Sequence, residues 1–168
     1  TNRLDRNDPR RCSFAMPQES SPVELPGDFE HRLRVRYADV DAQGIVFNAN
    51  YLVYWDDALT DYMEAIGLPW ADLVAKGDDM VLARTEIDFR QAAVIGDVAR
   101  TSVQVERIGT SSITFRYRTT NAATEAVLVE GTQIQVVLDH ETFEPKPVPD
   151  YFRELIERHD GPLAGGAT

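Results

Sequence analysis

Two different hydrophobic periods meet near residue 50. Over residues 31–37, every second residue is His, Leu, Val or Tyr and arginines lie between them, which predicts a strand with one buried face. From Asn50 onward, apolar side chains recur at helical spacing and acidic side chains take the other face. Asn48 or Asn50 can cap this helix, and Gly67 followed by Pro69 ends it. The predicted apolar face consists of Leu52, Trp55, Leu59, Tyr62, Met63 and Ile66.

The rest of the sequence is mostly strand-like. A short helix over residues 70–76 ends at Gly77, four runs with strand periodicity follow, and a final short helix covers residues 150–158. The four runs cover residues 80–92, 99–105, 113–117 and 128–138. One apolar helix face can cover one face of a curled antiparallel sheet. The pattern therefore predicts an α+β domain with a long central helix and about five antiparallel strands.

Both ends of the chain lack this periodicity. Residues 1–28 are rich in Arg, Asp, Ser and Pro, which is typical of a flexible arm. Residues 159–168 are expected to form a disordered tail. A chain of 168 residues then holds one domain, over residues 29–158.

The composition argues against several classes of partner and site. There are 17 Lys and Arg residues and 28 Asp and Glu residues, so the formal charge of −11 disfavours nucleic acid or an anionic membrane as the main partner. Cys12 is the only cysteine, which excludes a disulfide or a cysteine-based metal site within one chain and favours a cytoplasmic protein. No apolar run is long enough for a membrane span, and no signal peptide is recognised.

An acidic loop, residues 37–49, joins the first strand to the long helix. Asp39, Asp41 and Gly44 occupy positions one, three and six of a calcium-loop pattern. Position twelve of that pattern needs a bidentate Glu, and this chain has the neutral Asn50 there. Calcium binding is therefore disfavoured, and no metal site is expected.

Two other interpretations of the acidic loop stay open. Asp often serves turns and caps, so Asp39 and Asp41 can be structural. Alternatively, the apolar residues 45–47 desolvate a nearby carboxylate and raise its basicity. A carboxylate beside a helix N-terminus combines a base or nucleophile with an anion site, which suits acyl transfer through an oxyanion.

The acidic loop and the helix start also carry a family signature. The sequence DVDAQGIVF at residues 39–47, followed by NYL at residues 50–52, closely resembles that of the 4-hydroxybenzoyl-CoA thioesterase-like hotdog proteins. It is similar in particular to the acyl-CoA thioesterases associated with the Tol–Pal system. Three later features follow in the family's order: the turns at residues 96–97 and 109–112, and the Lys-Pro pair at residues 146–147. The resemblance covers roughly residues 29–155.

The resemblance implies a fold, an assembly and a catalytic residue. Its fold is a long helix wrapped by an antiparallel sheet, assembled as a homodimer or homotetramer with the thioester site at the subunit interface. Asp41 is then the catalytic carboxylate, acting as nucleophile through a mixed anhydride or as general base on water. The backbone N–H of Asn48 polarises the thioester carbonyl. Many Tol–Pal-type members have His in place of Asn48, and Asn cannot take up a proton.

The resemblance further implies the substrate contacts. Phe47 and Tyr51 are expected near the acyl group. Arg90, Thr110 and Ser111 are expected to bind the CoA portion, whose phosphates suit arginine. No cofactor is implied, because the CoA thioester is itself the substrate.

The sequence thus predicts an acyl-CoA thioesterase that releases free acid and CoA. A serine hydrolase is disfavoured because no Gly-x-Ser-x-Gly motif occurs. Two alternatives stay open: a non-catalytic hotdog protein that binds acyl-CoA or scaffolds a complex, and a thioesterase acting on carrier-protein thioesters. The net negative charge of the chain argues mildly against a carrier-protein substrate, because acyl carrier proteins are themselves acidic and usually bind basic surfaces.

Overall fold

The computed structural model describes residues 29–162 as one antiparallel sheet with a long helix packed on it. The strands are β1 (Glu30–Arg34), β2 (Asp78–Phe89), β3 (Val98–Ile108), β4 (Ser112–Asn121) and β5 (Val127–Asp139), and the helices are α1 (Asn50–Ala65), α2 (Trp70–Ala75) and α3 (Asp150–Asp160). The strand order is β1-β3-β4-β5-β2, and every neighbouring pair is antiparallel. The predicted α+β architecture of five strands and a long helix is confirmed. None of the helices within the described residues is long and apolar enough to span a membrane.

Several boundaries differ from the prediction. β2 ends at Phe89 rather than near residue 92, because the Arg90 N–H turns to the carbonyl of Leu128 at 2.8 Å. α3 continues to Asp160, so its last two residues are helical and do not belong to the predicted tail. The Asp160 carboxylate is held there by the Tyr62 hydroxyl, which donates to it at 2.8 Å. Residues 1–28 and 163–168, predicted as arm and tail, lie outside the described residues.

An aromatic face of α1 packs on the sheet. The ring of Trp55 is fully buried and stacks on Tyr117 of β4 with centroids 4.7 Å apart, and its Nε1–H donates to Thr119 Oγ1 at 3.0 Å. Truncating a buried tryptophan to alanine typically costs about 3–5 kcal/mol. The predicted apolar face is wrong at Leu52, which is 36% exposed, whereas Tyr54 is buried. These contacts fix the axis of α1 and therefore the position of its N-terminal end.

The N-terminal end of α1 has no side-chain cap. Ala49 occupies the N-cap position, and no side chain accepts a hydrogen bond from the first turn. The predicted capping by Asn48 or Asn50 is therefore wrong. Asn50 Nδ2 donates instead to the carbonyl of Asp39 at 2.8 Å, which ties the helix start to the acidic loop.

The acidic loop packs against the connection between β2 and β3. The Val46 N–H donates to the carbonyl of Ala93 at 2.9 Å, and the Gly96 N–H donates to that of Val35 at 3.0 Å. Gly96 has φ +88°, a conformation that glycine adopts without strain. The acidic loop is thus anchored at the end of the sheet where β2 ends and β3 begins.

Candidate active site

A short hairpin within the acidic loop carries Asp41. Val40 pairs with Val46, and the Asp41 N–H donates to the carbonyl of Ile45 at 2.9 Å. Gly44 closes the turn, since its N–H donates to the Asp41 carbonyl at 2.9 Å and its φ of +78° lies in the left-handed region. The backbone of Asp41 is therefore fixed at the base of the hairpin.

The Asp41 carboxylate is half-buried and makes few hydrogen bonds. Its Oδ1 accepts the Gln43 N–H at 2.8 Å, as in an Asx turn. Within residues 29–162, no other group hydrogen-bonds this carboxylate. The second oxygen, Oδ2, is therefore available to a water molecule or a ligand.

The Asp39 carboxylate has the opposite surroundings. Asp39 is only 4% exposed, and Arg36 supplies three hydrogen bonds to its carboxylate. The backbone N–H and Nε of Arg36 donate to Asp39 Oδ2 at 2.7 and 3.2 Å, and Nη2 of Arg36 donates to Asp39 Oδ1 at 3.0 Å. Hydrogen bonding from the Arg36 guanidinium holds the pKa of Asp39 below its usual range. Asp39 is thus an ionised, structurally engaged residue, whereas Asp41 keeps one carboxylate oxygen without a partner in the described chain.

Two backbone N–H groups at the start of α1 have no partner among the described residues. They belong to Asn48 and Ala49. Unpaired donors of this kind carry the positive end of the helix dipole and form an anion site. The Phe47 N–H, immediately before them, donates to the carbonyl of Asp39 at 2.9 Å. The structure therefore brings these donors and the Asp41 hairpin to the same end of α1.

Phe47 and Tyr51 lie close to this end but differ in exposure. Phe47 is 52% exposed and follows the hairpin directly. Tyr51 is buried, with its ring edge-on to Phe89 at a centroid distance of 6.0 Å. Burial raises the pKa of Tyr51 to about 12, so the hydroxyl is neutral at physiological pH. Phe47 can contact a ligand directly, whereas the Tyr51 ring packs against Tyr54 and Phe89.

Arg90 lies at the same end of the sheet, directly after β2. Its side chain is 28% exposed and already bonded, since Nε donates to Glu130 Oε1 at 3.0 Å and Nη2 donates to Asp88 Oδ2 at 3.3 Å. The two carboxylates offset its positive charge. A phosphate at this position would have to compete with both carboxylates for the guanidinium.

Thr110 and Ser111 lie at the other end of the sheet. They form the turn between β3 and β4, and the eleven residues of β3 separate that turn from the acidic loop by about 33 Å. Their carbonyls accept the N–H groups of Val148 and Val137, each at 2.8 Å, which anchors the turn to the C-terminal segment. The structure does not bring these two predicted residues to Asp41 within one chain.

The contact between Arg36 and Asp39 was not predicted from the sequence. The alternation of residues 31–37 assigned it to a polar strand face with Arg32 and Arg34, but β1 ends at Arg34 and residues 37–39 form a 3-10 turn. That turn folds Arg36 back onto Asp39. The only available signal was the spacing of three residues between an arginine and an aspartate.

The site contains no obvious metal-ligand cluster. Over the described part of the chain, no three His, Cys, Asp or Glu side chains are grouped so that they could hold a metal ion. The site instead combines the Asp41 carboxylate with unpaired backbone N–H donors at the same end of α1.

Comparison with known proteins gives the family. A sequence model described as the thioesterase-like superfamily matches residues 35–156. The chain is 24% identical over 121 residues to the acyl-CoA thioester hydrolase YbgC of Escherichia coli O157:H7, an alignment that covers 72% of this chain and 90% of that protein. It is 26% identical over 132 residues to the 1,4-dihydroxy-2-naphthoyl-CoA hydrolase of Thermosynechococcus vestitus (strain NIES-2133 / IAM M-273 / BP-1), covering 76% of this chain and 90% of that protein.

The fold is similar to that of solved structures. A thioesterase superfamily structure from Jannaschia sp. CCS1 superposes with a TM-score of 0.75 at 24% identity, covering 84% of this chain and 99% of that chain. This likeness agrees with the predicted hotdog fold. Because the family match spans most of the chain and includes the acidic loop and α1, this chain belongs to the thioesterase-like superfamily and has its hotdog fold.

Proposed function

We propose that this protein is an acyl-CoA thioesterase that hydrolyses the thioester to free acid and CoA. The observation that carries the proposal is the pairing of one lightly bonded carboxylate, Asp41, with unpaired backbone N–H groups at the start of α1. Thioester hydrolysis needs both parts, a base or nucleophile and donors for the developing oxyanion. The relatives named as CoA thioester hydrolases support the same reaction class.

Asp41 can act in either of two ways. As a general base, it takes a proton from water, and the hydroxide adds to the thioester carbonyl. Collapse of the tetrahedral intermediate releases the CoA thiolate, which takes the proton back from Asp41 and restores the carboxylate. As a nucleophile, its Oδ2 adds to the carbonyl carbon and expels the CoA thiolate. The resulting mixed anhydride is then hydrolysed by water, which regenerates the carboxylate.

Asn48 contributes through its backbone. Its N–H and that of Ala49 stabilise the oxyanion, because they are preoriented by α1 and have no described partner to give up. The amide side chain of Asn48 takes no proton, so acid–base work falls on Asp41 and water. The reaction needs no metal and no cofactor beyond the CoA of the substrate.

The remaining substrate contacts require a second subunit. β2 is an edge strand with Val81, Leu82 and Phe89 exposed, which supports a homodimer or a homotetramer built from such dimers. Antiparallel pairing of two β2 edges places the Asp78 end of one strand beside the Phe89 end of the other. Thr110 and Ser111 of the partner subunit then approach the Asp41 end and reach the CoA portion there, with Phe47 against the acyl group.

A free-thiol release assay over a panel of acyl-CoA substrates tests the proposed function. Asp41→Asn should lower the rate by about 10²- to 10⁴-fold, because the amide is neither base nor nucleophile. Asp72→Asn, an exposed carboxylate on α2, is the matched control and should keep the wild-type rate. Absence of thiol release from wild type with CoA esters still bound would contradict the enzyme assignment and favour an acyl-CoA-binding protein.

A further inference from the structure

Asp39 joins three segments of the candidate site. Its carbonyl accepts the N–H of Phe47 at 2.9 Å and Nδ2 of Asn50 at 2.8 Å, so one backbone oxygen holds both the exit of the acidic loop and the first residue of α1. Asp39 is also two residues before Asp41 on the entering side of the hairpin. Any rotation of the Asp39 peptide therefore displaces Asp41 relative to the N–H groups that follow Phe47.

Arg36 fixes the orientation of that peptide. Three of its donors reach the Asp39 carboxylate at 2.7, 3.2 and 3.0 Å, and its own carbonyl accepts the Asp39 N–H at 3.1 Å. The contacts form a closed ring around a carboxylate that is only 4% exposed. Arginine suits this arrangement because its planar guanidinium binds two carboxylate oxygens at once.

We propose that Arg36 and Asp39 are positioning residues that hold Asp41 and the start of α1 in their reactive arrangement. The catalytic consequence rests on the proposed function, because it assumes that Asp41 reacts and that the Asn48 N–H stabilises the oxyanion. Neither Arg36 nor Asp39 needs to touch the substrate. They act through the backbone of the hairpin, and a misplacement of about 1 Å in such a site can cost 10²-fold in rate.

Two substitutions separate positioning from overall folding. Asp39→Asn keeps the backbone carbonyl and one acceptor oxygen but removes the charge that binds the guanidinium. Arg36→Gln removes the guanidinium, and Arg36→Lys restores the charge without the planar fork. Arg34→Gln is the matched control, because Arg34 is an exposed arginine two residues earlier with no ion pair in the described range.

We expect kcat to fall by roughly 10- to 100-fold in Asp39→Asn and Arg36→Gln, with KM within about twofold of wild type. Arg36→Lys should recover only part of kcat, whereas Arg34→Gln should match wild type. A purely structural role would instead lower the melting temperature and leave kcat of the folded enzyme unchanged. Wild-type kcat in both Asp39→Asn and Arg36→Gln would overturn the proposal.

Amide hydrogen exchange tests the positioning without reference to turnover. The Asp41 and Phe47 N–H groups should exchange about tenfold faster in Asp39→Asn and Arg36→Gln, while the amides of β4 keep their protection. Unchanged exchange at both amides would overturn the proposal even if activity falls. If wild type releases no thiol from any substrate, the proposed function fails, and faster exchange at these two amides still supports the anchoring role of Arg36 and Asp39.

Discussion

Asp78 and Asp79 at one end of the sheet are bonded differently from Asp39 and Asp41 at the other end. At one end, Asp78 is buried and paired with Lys146 Nζ at 2.5 Å, and Asp79 accepts the His140 ring at 3.0 Å. At the other end, Asp39 is equally buried and bound by Arg36, but Asp41 accepts a single backbone N–H. Side-chain partners therefore engage both Asp78 and Asp79, whereas Asp41 keeps one carboxylate oxygen with no hydrogen-bond partner in the described chain.

Under the proposed function, this difference distinguishes structural carboxylates from the reactive one. A buried carboxylate whose oxygens are both bonded stabilises the fold and cannot readily exchange its partners for a substrate. A half-buried carboxylate with one oxygen free, held beside unpaired helix donors, can do so. α3 also starts near Asp78, since the Tyr151 hydroxyl donates to that carboxylate, but Asp78 is already engaged by Tyr151 and Lys146. At the Asp41 end, a carboxylate with a free oxygen and the unpaired N–H groups of Asn48 and Ala49 occur together.

The sharpest test of this comparison substitutes one carboxylate at each end. Asp41→Asn should reduce thiol release by about 10²- to 10⁴-fold with little change in melting temperature, since it loses a catalytic group and one local hydrogen bond. Asp78→Asn should leave the rate per folded molecule unchanged. Thiol-release kinetics normalised to the folded fraction give both values, and equal losses at the two ends would contradict the comparison.

Substitution at Asp78 should lower the stability of the fold more than substitution at Asp41 does. Asp78→Ala leaves Lys146 and the Tyr151 hydroxyl without their shared acceptor, and we expect a loss of about 1–3 kcal/mol in the free energy of unfolding. Urea denaturation measures it. The double variant Asp78→Ala with Lys146→Met should be less destabilised than the sum of the single variants, because the two side chains interact directly. Additive losses would mean that the pair is not coupled.

Much of the fold follows from the sequence because its determinants are periodic. The alternation in β3, β4 and β5 and the helical spacing from Asn50 fix the element order directly. The face of α1 was less predictable, since Leu52 fits the helical period but is 36% exposed in the first turn, whereas Tyr54 is buried. Hydrophobic periodicity identifies the apolar face of a helix, but it does not show how much of that face the rest of the fold covers.

The candidate site was predictable only where a contiguous motif carries it. Asp41 and Asn48 lie within nine residues of Asp39 and share its loop, so their proximity follows from the chain itself. The Arg36–Asp39 contact depends on a 3-10 turn that interrupts the strand pattern. Thr110 and Ser111 were expected from family order, but the length of β3 places them at the opposite end of the sheet.

The Asp78 end of the sheet should lose stability in alkali. Hydrogen bonding and charge from Asp78 raise the pKa of Lys146 above its ordinary 10.5. A lysine with a raised pKa in the folded state stabilises the protein fully below 10.5, and this contribution is lost as pH rises through the folded-state pKa. The gap in melting temperature between wild type and Lys146→Gln should therefore shrink above pH 10.5. A gap of constant size from pH 8 to about 12 would contradict the assignment of the shift to this pair.

The Asp41 end should respond to acid instead, with a smaller effect because Arg36 is largely exposed and its ion pair is screened by solvent. The Arg36 guanidinium holds the pKa of Asp39 below its ordinary 3.8, so Asp39 stabilises the protein above 3.8 and loses this contribution as pH falls through its folded-state pKa. The melting-temperature gap between wild type and Asp39→Asn should shrink below pH 3.8. Melting followed by circular dichroism from pH 6 to about 2 measures the gap. If it stays constant there, Asp39 is not held ionised by Arg36, and the two ends of the sheet do not differ in the way that their contacts indicate.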